Sequence, residues 1–169
     1  RITLSGYEGS ELLVARLLVE SGADLRYVGT ACPRTVWSDP DREWLESQGV
    51  HVQFRASLEH DLEAMAEWQP DLAIGTTPVV QAAKELSIPA LYFTNLISAR
   101  PLMGPAGAGS LATVINAAIG NKARFDQMSD FFGSTGMGHA TGVWEAASGV
   151  PQDRPDFKAD QRRLSWRRA

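Results

Sequence analysis

Apolar residues recur along the first hundred positions in two alternating rhythms. "RITLS" (1–5) places Ile2 and Leu4 on one face, the two-residue period of a strand. "DLRYVG" (24–29), "VHVQF" (50–54), "DLAIG" (71–75) and "ALYFT" (90–94) are four more short strand-like runs. Between them the period lengthens to that of a helix. "ELLVARLLVESG" carries Leu12, Leu13, Ala15, Leu17 and Val19 on a broad stripe, with Ser10 placed to cap it and Gly22 to stop it. "SDPDREWLESQG" (38–49) opens with Asp39 as N-cap before Pro40 and closes at Gly49. "SLEHDLEAMAEWQP" (57–70) turns Leu58, Leu62, Met65 and Ala66 inward, and "VVQAAKELSIP" (79–89) is a shorter helix. Strand and helix repeating with short connections predict a mostly parallel five-stranded sheet covered by helices. Right-handed crossovers make that a Rossmann-like three-layer α/β/α fold.

After residue 95 the pattern is helix without strand. "SLATVINAAIG" (110–120) and "KARFDQMSDFFG" (122–133) read as helices, and "GSTGMGHATG" (133–142) reads as a loop. The expected organisation is a Rossmann-like domain over 1–120, a helix and glycine-rich loop packing on it over 121–152, and a polar basic tail over 153–169. That tail carries six Lys/Arg against three Asp.

Composition narrows the function classes. With 169 residues, 44% hydrophobic and 21% charged, the chain is long enough to bury a substantial core. A net charge of −4 gives no general attraction to nucleic acid. No apolar run approaches the roughly 20 residues that span a bilayer. The single cysteine, Cys32, rules out an intrachain disulfide and fits a cytoplasmic setting. Cys32, His51, His60 and His139 show none of the close spacings of metal sites, so no metal is expected within the chain. Opening on Arg1 with nothing like a signal peptide, the sequence reads as a piece of a longer or processed protein.

In a doubly wound sheet, ligands sit beyond the carboxyl ends of the strands. That singles out the loops 5–10, 29–35, 54–57, 75–79 and 94–110, with Gly6, Thr30, Thr76, Thr77 and Asn95 as candidates at strand ends. "GYEGS" offers two glycines at a strand-to-helix turn, but it lacks G-x-G-x-x-G, and Glu8 would repel a phosphate. A tight turn suits it better than an anion site. "GPAGAGS" (104–110) is not a P-loop, because Leu111 and Ala112 stand where Lys and Ser/Thr would be needed. Its glycines Gly104, Gly107 and Gly109 permit close backbone approach. Arg100 is the only charge between Glu85 and Lys122, and it suits either one ligand carboxylate or an acid of this chain. Cys32 has no base beside it in sequence and reads as structural. His139 is a loop residue that could donate a proton. No catalytic residue is identifiable at this level.

Three long stretches carry more specific information: "LYFTNLISARPLMGPAGAGSLATVINAAIGNKARFD" (91–126), "YVGTACPRTVWSDPDREWL" (27–45) and "DLAIGTTPVVQAAKEL" (71–86). They resemble the C-terminal part of the Y-subunit family of chlorophyllide a reductases, nitrogenase-like enzymes of bacteriochlorophyll synthesis. The resemblance covers most of residues 1–145. It implies an oxidoreductase that reduces the C7–C8 double bond of ring B of chlorophyllide a. The partners implied are a related Z subunit and an ATP-hydrolysing iron–sulfur reductase, in a bacterial cytoplasm. A [4Fe–4S] cluster is implied for the whole complex, with its cysteine ligands outside this chain, since Cys32 does not match them. The chain alone would be inactive and would supply a pigment-cavity wall and a subunit interface. Arg100 would meet the pigment propionate, and Leu102, Met103, Gly104, Gly107 and Gly109 would form the apolar wall. Two other readings keep the fold: a nucleotide-sugar-binding half of a glycosyltransferase-like enzyme, and a non-catalytic interaction domain.

Overall fold

The structure, a computed structural model, describes residues 1–98 and 104–132. Its elements in chain order are β1 (Ile2–Gly6), α1 (Glu11–Glu20), β2 (Leu25–Thr30), α2 (Asp39–Ser47), β3 (His51–Phe54), α3 (Leu58–Trp68), β4 (Leu72–Gly75), α4 (Thr77–Glu85), β5 (Ala90–Tyr92), α5 (Phe93–Ser98), α6 (Gly104–Gly120) and α7 (Lys122–Phe132). The five strands form one all-parallel sheet in the order β3-β2-β1-β4-β5, with Leu4 of β1 aligned to Val28 on one side and Ile74 on the other. This is the Rossmann-like α/β arrangement that the hydrophobic pattern predicts. Residues Arg1–Phe125 make one compact unit.

The sheet is buried on both faces, as parallel sheets with helical crossovers must be. On one face Ile2, Leu4, Leu25, Val28, Leu72 and Ile74 pack under Leu12, Val14, Ala15 and Leu18 of α1 and Leu45 of α2. Leu111 and Ile115 of α6 complete that layer. On the other face Met65 of α3 and Ala83 of α4 close on Ala73 and Ile88. Each fully buried Leu or Ile contributes about 1.5–3 kcal/mol relative to exposure, so both layers are needed to hold the strands together.

Helix α2 begins at Asp39, with Ser38 rather than Asp39 in the N-cap position. Three further boundaries differ from the sequence expectation, each for a packing reason. Strand β5 ends at Tyr92 rather than running to residue 94, because Phe93 and Leu96, three apart and both buried, turn the chain into α5. Helix α4 begins at Thr77, with Thr76 in the N-cap position and Pro78 in the first turn, where its missing N–H costs nothing. The glycine-rich stretch from Gly104 is helix rather than loop. Gly107, Leu111 and Ile115, spaced by four, are its buried residues, so one apolar stripe carries the glycines into α6.

The α3 face also holds a polar cluster. The Tyr27 hydroxyl donates to Asp61 Oδ1 at 2.8 Å, and the Tyr27 ring stacks on His51 and Trp68 at centroid distances of 5.9 and 5.8 Å. Room for the pair comes from Gly29: a Cβ there would collide with Asp61 Oδ1 and stand 2.6 Å from Tyr27 Oη. On β4, the other side of β1, a Cβ at Gly75 would stand 2.8 Å from Ser5 Oγ and 2.7 Å from Val79 Cγ1. Burial pushes the Asp61 carboxyl above its ordinary value, while the hydroxyls of Tyr27 and Ser5 and the charge of nearby His60 oppose the shift.

Two outcomes follow from this cluster. Gly29→Ala is expected to destabilise the chain by about 1–3 kcal/mol, because neither a packed carboxylate nor a stacked phenol can retreat; urea unfolding measures it, and an unchanged midpoint would contradict the packing. Because the folded chain holds the Asp61 proton more tightly than the unfolded chain does, its contribution is fully present below pH 3.8 and is lost as pH rises through the raised value. Asp61→Asn keeps an acceptor for Tyr27 and removes that loss. The melting temperature of the variant is expected to fall less between pH 4 and 7 than that of the parent, and parallel curves would refute the shift.

Candidate functional site

The order of the strands locates the site. From β1 the chain moves outward through β2 to β3, then returns to the other side of β1 for β4 and β5. The connections after β1 and β4 therefore diverge, opening a crevice at the carboxyl ends of the strands. It measures about 400 Å³ and is lined by Tyr7 from the β1–α1 turn, Gly75, Thr76 and Thr77 from the β4–α4 turn, and Tyr92, Thr94 and Asn95 at the β5–α5 junction.

The β1–α1 turn is built around a buried acid. Glu11, the first residue of α1, is 0% exposed. Its carboxylate accepts the amide of Glu8 at 2.6 Å, the amide of Gly9 at 2.9 Å and the hydroxyl of Thr30 at 2.8 Å. These are the donors, at a helix N-terminus, that would otherwise receive a ligand phosphate. Gly6 makes the arrangement possible, since a Cβ there would lie 2.5 Å from Glu11 Oε1 and 2.9 Å from Phe93 Cδ1. Gly9 takes a φ of +86°, which glycine adopts without strain. Ser10 sits in the N-cap position but its hydroxyl caps nothing, and the Glu11 carboxylate holds the amides of the turn that precedes the helix. The reading of "GYEGS" as a tight turn rather than a phosphate seat thus has a specific cause.

The same turn reaches across the crevice. Glu8 accepts a 2.5 Å hydrogen bond from the Thr94 hydroxyl, joining the end of β1 to the start of α5 past the end of β4. Tyr7, 62% exposed, is held between these two anchors. The loop after β2 carries Val36 and Trp37, 75% and 88% exposed. Cys32 in that loop is half-buried with a free thiol, and its amide donates to Thr30 Oγ1.

Of the residues singled out in the sequence, Thr76, Thr77 and Asn95 meet in the crevice. Gly6 and Thr30 lie at the Glu11 carboxylate, where the Thr30 hydroxyl is already engaged. Gly104, Gly107 and Gly109 lie on α6: Gly104 enters the helix at φ +70°, Gly107 is buried, and Gly109 is exposed with open space beyond its Cα. Arg100, Leu102, Met103 and His139 fall outside the described residues. Tyr7, Glu8, Glu11, Tyr92 and Thr94 were not anticipated. Glu11 had a usable signal, an acid opening a helix after two spaced glycines, whereas the Glu8–Thr94 contact joins residues 86 apart. Two other cavities lie away from the strand carboxyl ends: one of about 260 Å³ between α6 and the starts of β1 and β2, and one of about 350 Å³ against the edge strand β5. Among the described residues no group of three His, Cys, Asp or Glu could hold a metal ion, and no helix is long and apolar enough to cross a membrane.

Comparison with known proteins places the chain. It is 69% identical over 159 residues to the chlorophyllide reductase 52.5 kDa chain of Cereibacter sphaeroides, a match covering 94% of this chain and 31% of that protein. It is 65% identical over 163 residues to the protein of the same name from Rhodobacter capsulatus, covering 96% and 32%. The chain thus spans about a third of the length of these curated relatives. Among solved structures, one titled "Nitrogenase Cp1 at pH 6.5" superposes with a TM-score of 0.59 at 23% identity, over 72% of this chain and 29% of the other, a likeness of fold. Residues 1–119 match the family described as nitrogenase component 1 type oxidoreductase. By that match the chain belongs to the nitrogenase component 1 type oxidoreductases.

Proposed function

We propose that this chain is the C-terminal domain of a catalytic Y subunit of chlorophyllide a reductase, and that it supplies one wall of the pigment cavity together with part of the subunit interface. The observation that carries this reading is the near-complete match of the chain to two chlorophyllide reductase chains. The reaction is reduction of the C7–C8 double bond of ring B of chlorophyllide a. The Z subunit completes the catalytic component, and an ATP-dependent iron–sulfur reductase delivers the electrons, in the cytoplasm of a bacterium. Arg100, with Leu102, Met103, Gly104, Gly107 and Gly109, belongs to the pigment-facing segment on this reading.

A [4Fe–4S] cluster, which such a complex uses, does not fit the residues of this chain. Cluster ligation draws on several thiolates, and Cys32 is the only cysteine. No further ligands gather around it among the described residues. The ligands are assigned to the rest of the protein, and no step of the chemistry is routed through this domain's own side chains.

The nucleotide-sugar reading loses support at the first turn, where Glu11 occupies the seat a diphosphate would take. An interface role draws support from Val36 and Trp37, whose exposure is unusual for large apolar side chains.

The test uses the full-length chain mixed anaerobically with its Z partner, the iron–sulfur reductase, ATP, dithionite and chlorophyllide a. The expected outcome is an ATP-dependent red shift of the long-wavelength absorption band that disappears when this chain is omitted. With every other component verified active, absence of the shift would overturn the assignment.

A further inference from the structure

We propose that the crevice at the ends of β1, β4 and β5 binds an uncharged, carbonyl-bearing edge of its ligand and excludes carboxylates and phosphates. The inference rests on the pigment-reductase reading for the identity of the ligand. On that reading the group received is the ring ketone or the adjacent methyl ester of chlorophyllide, and the free propionate lies elsewhere.

The lining carries the argument. Of Tyr7, Gly75, Thr76, Thr77, Tyr92, Thr94 and Asn95, none bears a charge at neutral pH, and six of the seven carry a hydroxyl or an amide. Among the described residues, the hydroxyls of Tyr7, Thr76, Thr77 and Tyr92 and the amide of Asn95 make no hydrogen bond to the protein. Thr76 in particular stands in the N-cap position of α4 without capping it. Thr77 and Asn95 are exposed into the crevice mouth. Such groups are donors waiting for an acceptor, and a ligand that covers them without supplying one leaves them unpaired at a cost.

Charge selects which acceptor. The α1 N-terminus, normally the attraction for anions at this place in the fold, is neutralised by Glu11, whose carboxylate consumes the Glu8 and Gly9 amides. Glu8 brings a second carboxylate to the rim, bonded to the Thr94 hydroxyl. Among the described residues, the cation touching a lining residue is Lys84, whose ammonium lies 5.5 Å from the centroid of the Tyr92 ring and is engaged with that ring rather than with the hydroxyl floor. Among the described residues, an incoming carboxylate would therefore meet two fixed negative charges and no guanidinium fork, whereas a ketone or ester oxygen meets hydroxyl and amide donors.

The experiment measures pigment binding by the full-length chain assembled with its Z partner, by absorbance titration, for the parent and the Thr77→Val/Asn95→Ala double variant. Three pigments are compared: chlorophyllide a, an analogue with a methylene in place of the ring ketone, and chlorophyllide a methylated on its propionate. A fourth analogue, lacking the carbomethoxy group, separates ester from ketone. The parent is expected to bind the analogue lacking the recognised carbonyl about tenfold more weakly than chlorophyllide a. The variant is expected to bind chlorophyllide a about tenfold more weakly and to lose that discrimination. Propionate methylation is expected to change affinity by the same factor in both proteins. A variant that still discriminates the carbonyl analogues as the parent does, or whose loss tracks the methylated propionate, overturns the proposal while leaving the reductase reading intact. A parent complex that binds none of the pigments overturns the reductase reading and this inference with it.

Discussion

The buried carboxylate of Glu11 fixes the functional end of this domain. A charge taken wholly out of water is tolerated only when its hydrogen bonds are complete, and here two backbone amides and one hydroxyl complete them. The consequence reaches well beyond one turn. Holding the Glu8 and Gly9 amides dictates the path of residues 6–10, which sets Tyr7 at the crevice and aims Glu8 at Thr94. Drawing in the Thr30 hydroxyl ties the end of β2 to the start of α1, and Thr30 in turn receives the Cys32 amide. Three strand ends are thus coupled through two acids, Glu11 between β1 and β2 and Glu8 across to Thr94 after β5, and the absent side chain at Gly6 is the space in which Glu11 sits.

A second pair of glycines plays the corresponding part on the opposite face. Gly29 and Gly75 lie on strands flanking β1, and both leave room for polar or bulky groups descending from the helices, Asp61 from α3 and Val79 from α4. The result is a sheet whose α3 side carries the Tyr27–Asp61 pair, while the α1 side is apolar up to the Glu11 carboxylate at the strand ends. Layered packing explains the asymmetry: α1, α2 and α6 supply leucines and isoleucines, whereas the four buried residues that close the α3–α4 layer include two alanines and one methionine. A thinner apolar layer leaves space for the Tyr27–Asp61 pair and for the aromatic stack with His51 and Trp68.

How much of this was legible beforehand follows from the range of the interactions involved. The strands and helices of residues 1–92 are encoded by local periodicity and by Gly, Pro and Ser punctuation, so Ile2 and Leu4 and the Ser57 start of α3 are readable from short windows, whereas the inner face of α1 is not the stripe expected: Val14 and Leu18 are buried with Leu12 and Ala15, and Leu13 is exposed. The glycines of "GPAGAGS" misled because glycine density signals loop locally. Only the tertiary surface that accepts Gly107, Leu111 and Ile115 makes the segment a helix. The crevice was legible in part. Thr76, Thr77 and Asn95 follow from the rule that ligands gather at strand carboxyl ends. Thr94 and Glu8 meet across 86 residues, and no window contains both. Glu11 was visible as an acid at a helix start, but that it turns inward rather than toward solvent depends on Gly6, Thr30 and Phe93 being where the fold puts them.

The chemistry of this end separates the domain from nucleotide-binding relatives of the same topology. A Rossmann sheet leaves its first helix N-terminus open because the ligand's phosphate completes it. Here the protein completes it internally, so the binding free energy available at the switch point no longer comes from charge. What remains is a hydroxyl-rich floor, which on the proposed reading meets a ligand edge that carries acceptors and no formal charge. A flat macrocycle whose ring carbonyls are fixed in its plane and whose single carboxylate sits on a flexible propionate arm suits a protein that divides the two tasks. On the proposed reading, the anionic half of that division is assigned to Arg100, the lone cation of the long run between Glu85 and Lys122.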